Sequence, residues 1–311
     1  MESGSSKKII VILGPTSSGK SDVAIRLANK FNGEIISADS RQIYRGMDIG
    51  TGKIHGTYNM KHKTFISERV THHMIDIIDP KSRFSAAQFK KKVDKIIPDI
   101  LKRGKVTIIC GGTGFWIKAV VDNVAYPDVK PDWKLRNKLC DKNPQELFQM
   151  LKKLDPIRAK GIDKNNKVRL IRAIEINKEL GNVPDTRYDT PDTKYQFLQI
   201  GINLPKEKLQ KNIKKRLKKR FEAGMIEEVE RLKKQGLSWK KIQSFGLGYF
   251  WIPKYLKSEI NSKEELFEKV YSSEKDYAKR QMTWFGKDKR IKWLEKYKEI
   301  EKDVSSFLNK K

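Results

Sequence analysis

The stretch from Gly14 to Ser21 has the residue types and the spacing of a phosphate-binding loop. It fits the pattern GxxxxGK[ST] and lies between an apolar, β-branched run, 8–13, and a stretch with helical spacing. Backbone N–H groups at such a helix start can surround a phosphate, the Lys20 ammonium adds a full charge, and the Ser21 hydroxyl can bind Mg²⁺. The sequence therefore predicts a phosphate site with Ser21 as its metal ligand, formed by Gly14, Pro15, Thr16, Ser17, Ser18, Gly19, Lys20 and Ser21.

A carboxylate near this loop is the second candidate for chemistry. ATP-hydrolysing proteins with such a loop usually carry a metal-binding carboxylate after a later apolar strand, but here the run 106–110 is followed by GGTG, 111–114. The nearest candidate is instead Asp39, which follows the apolar run 34–37. A carboxylate at that strand end can act as a general base, support a metal ligand or cap the next turn. The spacing alone leaves these interpretations open.

The order of apolar runs and glycines indicates an α/β fold. The runs 8–13, 34–37 and 106–110 are short and apolar, and helical stretches separate them, which is typical of buried parallel strands. Ser85 and Gln88 have capping-box spacing and open a helix between the second and third runs. We therefore expect a parallel sheet core with the phosphate loop, an inserted helical subdomain and a helical C-terminal region.

Changes in composition predict where these parts begin and end. Residues 123–192 are polar and indicate short helices, whereas the chain beyond Pro205 is basic with apolar residues every three or four positions. We expect residues 1–122 to form the first part of the catalytic core, 123–192 to form the inserted subdomain, and 193–311 to complete the core with basic C-terminal helices.

The net charge limits the classes of partner. The 311 residues include 67 Lys and Arg against 38 Asp and Glu, a formal charge of +29. This surplus favours a polyanion such as nucleic acid, although a lysine-rich proteome would produce the same composition. The chain lacks a bilayer-spanning apolar stretch, a signal-peptide pattern and, with only Cys110 and Cys140, a disulfide framework. We expect a soluble intracellular protein that does not act at a membrane.

Part of this charge is concentrated between Lys206 and Arg220, where nine residues are basic and one is acidic. Because the apolar residues recur at intervals of four, much of the charge falls on one helix face. We expect a track for nucleic-acid phosphates, with a solvated lysine face as the alternative. Further along, Trp284 and Phe285 have helical spacing among basic residues, and we expect both in the core.

Five motifs stand in order along the chain, between about residue 8 and residue 294. They are GPTSSGKS, ISADSRQIYRGMDIGTGK (36–53), THHMIDIIDP (71–80), GGTGFW (111–116) and RQMTWF (280–285). Together they resemble the bacterial tRNA dimethylallyltransferases of the tRNA isopentenyltransferase family. The resemblance implies Mg²⁺-dependent transfer of a dimethylallyl group from dimethylallyl diphosphate to N6 of the adenine 3′-adjacent to the anticodon, with release of diphosphate. A loop that holds a leaving group explains why the ATPase carboxylate is missing, and we expect a cytoplasmic monomer.

The resemblance also implies catalytic roles. Asp39 would take the proton from the adenine N6 amine, and Thr113 would hydrogen-bond near the target nucleotide. Arg220 is expected to bind the diphosphate, with Arg216 as the alternative because both lie in one basic run. The catalytic set is thus Asp39, Thr113, Lys20 and Arg220.

The same resemblance implies which residues contact tRNA. The segment after the second strand would hold a flipped-out adenine, because an amine stacked in the anticodon loop cannot reach a buried allylic carbon. Part of the inserted subdomain, 164–172, would grip the anticodon stem-loop. The expected tRNA-binding residues are Asp39, Ser40, Arg41, Gln42, Thr113, Arg169 and Arg172.

Three other functions share parts of the pattern. An isopentenyltransferase for free adenine nucleotides would use the same loop and Asp39, and labelled transfer to AMP rather than tRNA would identify it. A small-molecule kinase would bind ATP in the loop and activate an acceptor hydroxyl with Asp39, so ATP turnover would support it. A non-catalytic RNA-binding protein is disfavoured, because it would need neither Ser21 nor Asp39.

Overall fold

A computed structural model of the protein describes residues 7–183 and 195–310. Eight strands form one sheet. In chain order they are β1 (Lys7–Leu13), β2 (Gly33–Ser37), β3 (Thr57–Asn59), β4 (Thr64–Ser67), β5 (Val70–His73), β6 (Val106–Gly111), β7 (Tyr195–Ile202) and β8 (Lys292–Leu294).

Most of the remaining described chain is helical. The helices of the part before residue 122 are α1 (Lys20–Lys30), α2 (Ala86–Lys102) and α3 (Gly114–Val121). Those that follow are α4 (Trp133–Leu139), α5 (Pro144–Leu154), α6 (Pro156–Lys160), α7 (Lys167–Leu180), α8 (Lys206–Glu222), α9 (Met225–Lys234), α10 (Trp239–Gln243), α11 (Gly248–Leu256), α12 (Lys263–Phe285) and α13 (Tyr297–Asn309). In the described part of the chain, no helix is long and apolar enough to cross a membrane.

The sheet is parallel except at one edge. Its spatial order is β3-β4-β5-β2-β6-β1-β7-β8. The strands from β5 to β8 pair in parallel, whereas β3, β4 and β5 pair antiparallel. The three apolar runs predicted as strands are β1, β2 and β6, and they lie together in the middle of the sheet. The predicted α/β class with a parallel sheet core is confirmed.

The central strand β1 is buried on both faces, which explains its continuous apolar sequence. Ile10 and Ile12 belong to a core cluster that includes residues of α1 and α13. Ile9 and Val11 point to the opposite face and are also fully buried. Parallel strands covered on both faces have this unbroken apolar pattern rather than an alternating one.

The carboxyl ends of β2 and β6 are joined by backbone hydrogen bonds beyond the strands themselves. Ala38 N donates to Cys110 O at 2.7 Å, and Thr113 N donates to Ala38 O at 3.1 Å. The approach requires glycine at position 111, because a Cβ there would lie 2.2 Å from Ala38 O. The segments after these two strands are therefore held side by side. They lie at the carboxyl ends of the parallel strands, where open α/β proteins bind ligands.

The chain divides into two compact units, residues 1–121 with 193–311, and residues 122–192. Within the described part of the second unit, α4, α5 and α7 pack around a small apolar core that includes Leu147, Leu151 and Leu170. The expected boundary at residue 192 lies outside the described residues.

The basic C-terminal region consists of separate helices rather than one continuous helix. Gly224 has φ 94° between α8 and α9, a left-handed conformation that glycine adopts without strain. Apolar spacing continues across this break, and Ile213, Leu217, Phe221, Met225, Val229 and Leu232 are all buried. At the end of α12 Phe285 is buried as expected, but the expectation for Trp284 is wrong, because 40% of it is exposed.

Two buried titratable groups lie on neighbouring strands of the sheet. His72 on β5 is 3% exposed, its ring Nδ1 lies 3.1 Å from Val70 O, and burial lowers its pKa to about 4. Burial alone would raise the pKa of Glu34 on β2, but hydrogen bonds from His73 and Arg103 hold it well below its usual value. His72 is therefore neutral and Glu34 ionised in the folded protein near neutral pH.

These shifts predict that acid destabilises the fold before the carboxylates are protonated. The unfolded chain protonates His72 near pH 6.5, whereas the folded chain resists protonation down to about pH 4. The free energy of unfolding should thus fall between these values by up to about 3 kcal/mol. Glu34 contributes stability that is lost only below the ordinary carboxyl pKa of 4.5.

Urea unfolding between pH 6.5 and 5 isolates the histidine contribution. The variant His72→Gln should lose most of the pH dependence in that window, whereas His62→Gln, at an exposed position, should keep it. Equal slopes for His72→Gln and the unaltered protein would contradict the assignment.

Candidate active site

The phosphate loop occupies the turn between β1 and α1, as its motif predicts. Gly19 precedes α1 with φ 85°, a left-handed conformation suited to glycine. Lys20 Nζ donates to Pro15 O at 3.1 Å, so the ammonium folds back over the loop. The hydroxyls of Ser17 and Ser18 are buried and have no hydrogen-bond partner among residues 7–183 and 195–310. Buried donors of this kind suit a loop that binds an anion.

A second cation lies against this loop. Arg216 on α8 donates from Nη2 to Thr16 Oγ1 at 2.7 Å, and its Nε is buried without a partner in the described chain. Burial and the charge of Arg220 lower the pKa of Arg216, while burial lowers the pKa of Lys20. Two partly buried cations thus lie beside the loop, an arrangement that favours a ligand with more than one negative charge.

Arg220 lies one helical turn further along α8 and has different partners. Its guanidinium pairs with Glu274 on α12 and donates from Nη1 to Gly50 O at 2.9 Å. Both members of the pair are buried, Arg220 at 6% and Glu274 at 1% exposure. Arg220 lines the same cavity as Arg216, but its charge is already compensated. The arginine in contact with the loop is therefore Arg216, which the sequence left open as the alternative to Arg220.

Asp39 lies just after β2 and lines the cavity. Its Oδ1 accepts a hydrogen bond from Arg41 N at 2.8 Å, so it caps the turn that follows the strand as well as facing the cavity. Thr113 Oγ1 accepts from Ser40 N at 3.0 Å. Thr113 thus holds the backbone of the residue next to Asp39.

The cavity has a volume of about 350 Å³. Its wall includes residues from both predicted parts of the site, the phosphate loop and the segment that begins at Asp39. Lys20, Ser21 and Arg216 line it together with the segment from Asp39 to Gln42. Arg41 Nε donates to Phe245 O at 2.8 Å, and Gln42 Nε2 donates to Gly52 O at 3.4 Å. The structure therefore brings the phosphate loop and the carboxylate segment to one cavity.

Two further residues of the site are not predicted from the sequence as site residues. Gln281, in the RQMTWF motif, is 5% exposed and connects two loops: its Oε1 accepts from Thr16 N and its Nε2 donates to Gly112 O, both at 2.8 Å. Tyr277 lines the cavity, and burial, with the Asp39 charge adding to it, raises its pKa. The motif is the signal for Gln281, whereas Tyr277 lies before it, and the contacts of Gln281 join distant parts of the chain.

The two arginines predicted to grip an RNA stem-loop lie in the second unit. Arg169 on α7 is exposed. Arg172 is tied to the buried Glu175, which also accepts from Arg136 Nε at 2.8 Å and Nη2 at 2.7 Å, and Arg172 Nη2 donates to Val129 O at 2.9 Å. Arg172 therefore stabilises this unit through Glu175 while 33% of its side chain stays exposed, and Arg169 is the more exposed of the two.

Comparisons with known proteins agree with the motifs. A family model described as IPP transferase matches residues 42–288. A tRNA dimethylallyltransferase of Acetivibrio thermocellus is 40% identical over 97% of this chain and 96% of its own length. The crystal structure of a tRNA isopentenylpyrophosphate transferase from Staphylococcus epidermidis superposes with a TM-score of 0.68 at 37% identity, and covers 98% of this chain and 100% of its own. A eukaryotic dimethylallyltransferase acting on tRNA, 24% identical, has the same fold with a TM-score of 0.76 over 98% of this chain and 76% of its own.

The contacts of Arg216 and Arg220 predict different outcomes for their replacement. Arg216→Gln removes a buried charge at the loop and should weaken binding of inorganic diphosphate by about tenfold to a hundredfold. Arg220→Met leaves Glu274 buried without its partner and should destabilise the fold by about 3 to 5 kcal/mol. Calorimetric titration measures the first effect and urea unfolding the second.

A double variant separates the two roles. Arg220→Met combined with Glu274→Gln removes the whole ion pair, so it should regain much of the lost stability and bind diphosphate better than Arg216→Gln does. If the double variant loses more diphosphate affinity than Arg216→Gln, then Arg220 is the principal diphosphate ligand.

Proposed function

The chain belongs to the IPP transferase family, and we propose that it transfers a dimethylallyl group from dimethylallyl diphosphate to N6 of the adenine 3′-adjacent to the anticodon in tRNA, releasing diphosphate. One observation carries the proposal: the phosphate loop and the segment that begins at Asp39 line the same cavity. Dimethylallyl diphosphate bound by its phosphates at the loop would direct its allylic carbon toward a nucleobase held by that segment.

The proposed reaction forms a bond between adenine N6 and the allylic carbon as the carbon–oxygen bond to diphosphate breaks. The diphosphate leaves with the electron pair, and Asp39 accepts the proton that N6 loses. Negative charge therefore grows on the leaving group, where Lys20, the loop amides and Arg216 would stabilise it. Holding both substrates in one cavity lowers the barrier further by fixing their orientation.

Among the described residues, no group of three or more His, Cys, Asp or Glu side chains could hold a metal ion. We propose that Mg²⁺ binds with the diphosphate, whose oxygens would provide most ligands, with the Ser21 hydroxyl as the ligand from the loop. Ser21 lines the cavity beside Lys20, so the residues present fit this role. When bound, the ion would neutralise charge on the leaving group.

Arg216 rather than Arg220 is proposed as the diphosphate-binding arginine. Its hydrogen bond to Thr16 Oγ1 at the loop supports the assignment, whereas Arg220 is neutralised by Glu274. The proposed base-binding residues are Asp39, Ser40, Arg41 and Gln42, with Thr113 as a positioning residue for Ser40.

For the remainder of the tRNA we propose the exposed face of α8. Lys211, Lys214, Lys215 and Lys218 line a shallow groove around Phe267, and all four are exposed. In the second unit, Arg169 and the partly exposed Arg172 are proposed to contact the anticodon stem-loop. We further propose that the enzyme acts in the cytoplasm as a monomer.

The test of this function is transfer of a labelled dimethylallyl group to unmodified tRNA. Transfer to tRNA but not to AMP is expected, and hydrolysis of ATP is not. Transfer to AMP alone, or ATP turnover with a small acceptor, would replace the proposal with one of the alternatives.

Asp39→Asn should lower the rate constant of transfer by about 10²- to 10⁴-fold, the contribution of one positioned base. The amide retains an oxygen that can accept from Arg41 N, so the turn is kept while the base is lost. Binding of tRNA should stay near that of the unaltered protein. Single-turnover transfer and filter binding measure the two quantities.

Asp22→Asn, at an exposed position of α1, is the matched control and should not change either quantity. Should Asp39→Asn weaken transfer and tRNA binding equally, Asp39 would be a structural or binding residue rather than the base.

The lysine groove predicts a salt dependence. Each phosphate contact should contribute about 0.7 to 0.9 to the slope of log affinity against log salt. Replacing Lys215 and Lys218 by Gln should therefore lower the slope for tRNA by about 1 to 2 without altering diphosphate binding. Replacing the exposed Lys298 and Lys302 of α13 is the charge-matched control. Equal slopes for both double variants would remove the groove from the tRNA interface.

A further inference from the structure

Glu228 on α9 is a fully buried carboxylate that accepts four hydrogen bonds. Oε2 accepts from Asp48 N and Ile49 N, both at 2.7 Å, and Oε1 accepts from Gly50 N at 3.0 Å and from Tyr249 Oη at 2.7 Å. Burial and the Glu228 charge raise the pKa of Tyr249, so its hydroxyl remains a donor. Three consecutive backbone N–H groups bound to one carboxylate fix the conformation of that segment.

The segment held in this way, 48–52, forms part of the cavity wall through Gly50, Thr51 and Gly52. It fits closely between side chains. A Cβ on Gly50 would lie 2.6 Å from the Tyr249 ring, and a Cβ on Gly52 would lie 3.4 Å from Arg216 Cζ. The Arg216 guanidinium therefore packs against Gly52 on one side and bonds to Thr16 Oγ1 at the phosphate loop.

We propose that Glu228 is a positioning residue for diphosphate: it fixes residues 48–52, and this segment holds Arg216 against the phosphate loop. The inference rests on the proposed function only in naming prenyl diphosphate as the natural ligand. Arg220 supports the same wall, because it donates to Gly50 O at 2.9 Å. A merely structural role for Glu228 would affect folding without acting through Arg216.

Glu228→Gln tests the proposal with little change in shape. A glutamine side chain has one oxygen and one NH₂ group, so in either orientation two of the four donors face another donor. The segment should then lose its fixed conformation. Inorganic diphosphate should bind about tenfold more weakly, and KM for dimethylallyl diphosphate should rise more than kcat falls.

A double-mutant cycle with Arg216→Gln separates positioning from a general structural effect. If Glu228 acts through Arg216, adding Glu228→Gln to Arg216→Gln should cause little further loss of diphosphate affinity, less than about twofold. Multiplication of the two losses would overturn the proposal, and so would a Glu228→Gln variant that binds diphosphate as tightly as the unaltered protein.

Glu227→Gln is the matched control, since it removes the neighbouring exposed carboxylate of α9 and should leave diphosphate binding unchanged. If Glu228→Gln does not fold, Tyr249→Phe removes one donor from the same carboxylate and should show a smaller loss that also vanishes in the Arg216→Gln background. Losses that multiply in that background count against the proposal.

The cycle uses inorganic diphosphate, so its outcome does not depend on tRNA. Failure of the unaltered protein to transfer the prenyl group to tRNA, with the non-additive cycle intact, would refute the proposed function alone. Transfer to tRNA with an additive cycle would refute the role of Glu228 alone.

Discussion

Two partly buried cations at one loop are the constraint on which the site depends. Lys20 and Arg216 both lose hydration in the fold, and although the Asp39 charge partly offsets this loss at both, their pKa values are lowered. Burying like charges together is costly unless an anion completes the arrangement. The loop is therefore built for a ligand that brings negative charge with it. A diphosphate does so, and it keeps that charge as it leaves.

The neighbouring Arg220 is also withdrawn from solvent, but a carboxylate of the protein compensates its charge. It is four residues from Arg216 on α8, and its charge is balanced within the protein by Glu274. One arginine is thus available to a ligand and the other supports the cavity wall through Gly50 O. The difference follows from the partner that each guanidinium reaches, because both residues are the same type on the same helix.

This comparison explains how far the sequence could predict the structure. The strands β1, β2 and β6 and the place of the glycine motif between β1 and α1 depend on local patterns, and these features are predicted correctly. The choice between Arg216 and Arg220 depends on Thr16 and Glu274, which are remote in the chain, so helix spacing left it open. Exposure of Trp284 depends likewise on what packs beside α12.

One contact in the second unit is indicated by local spacing in the sequence. Arg172 and Glu175 are three residues apart on α7, a spacing that places their side chains on one face and predicts the ion pair that the structure contains. The spacing therefore predicts a contact of Arg172 inside its own unit, in addition to the RNA contact expected of it. By contrast, nothing local marks Gln281, because its two partners, Thr16 N and Gly112 O, come from loops that only the sheet brings together.

The site loops share one physical requirement, which is that their backbone polar groups need partners outside regular secondary structure. Gln281 serves the phosphate loop, Thr113 serves the turn after β2, and Glu228 serves residues 48–50. Each of these side chains binds backbone groups of a loop, and Glu228 binds the Tyr249 hydroxyl as well, so each fixes the path of a loop. A cavity whose wall is mostly loop can orient two substrates only if those paths are rigid. The polar residues in the motifs are therefore explained as much by loop positioning as by contact with the reacting groups.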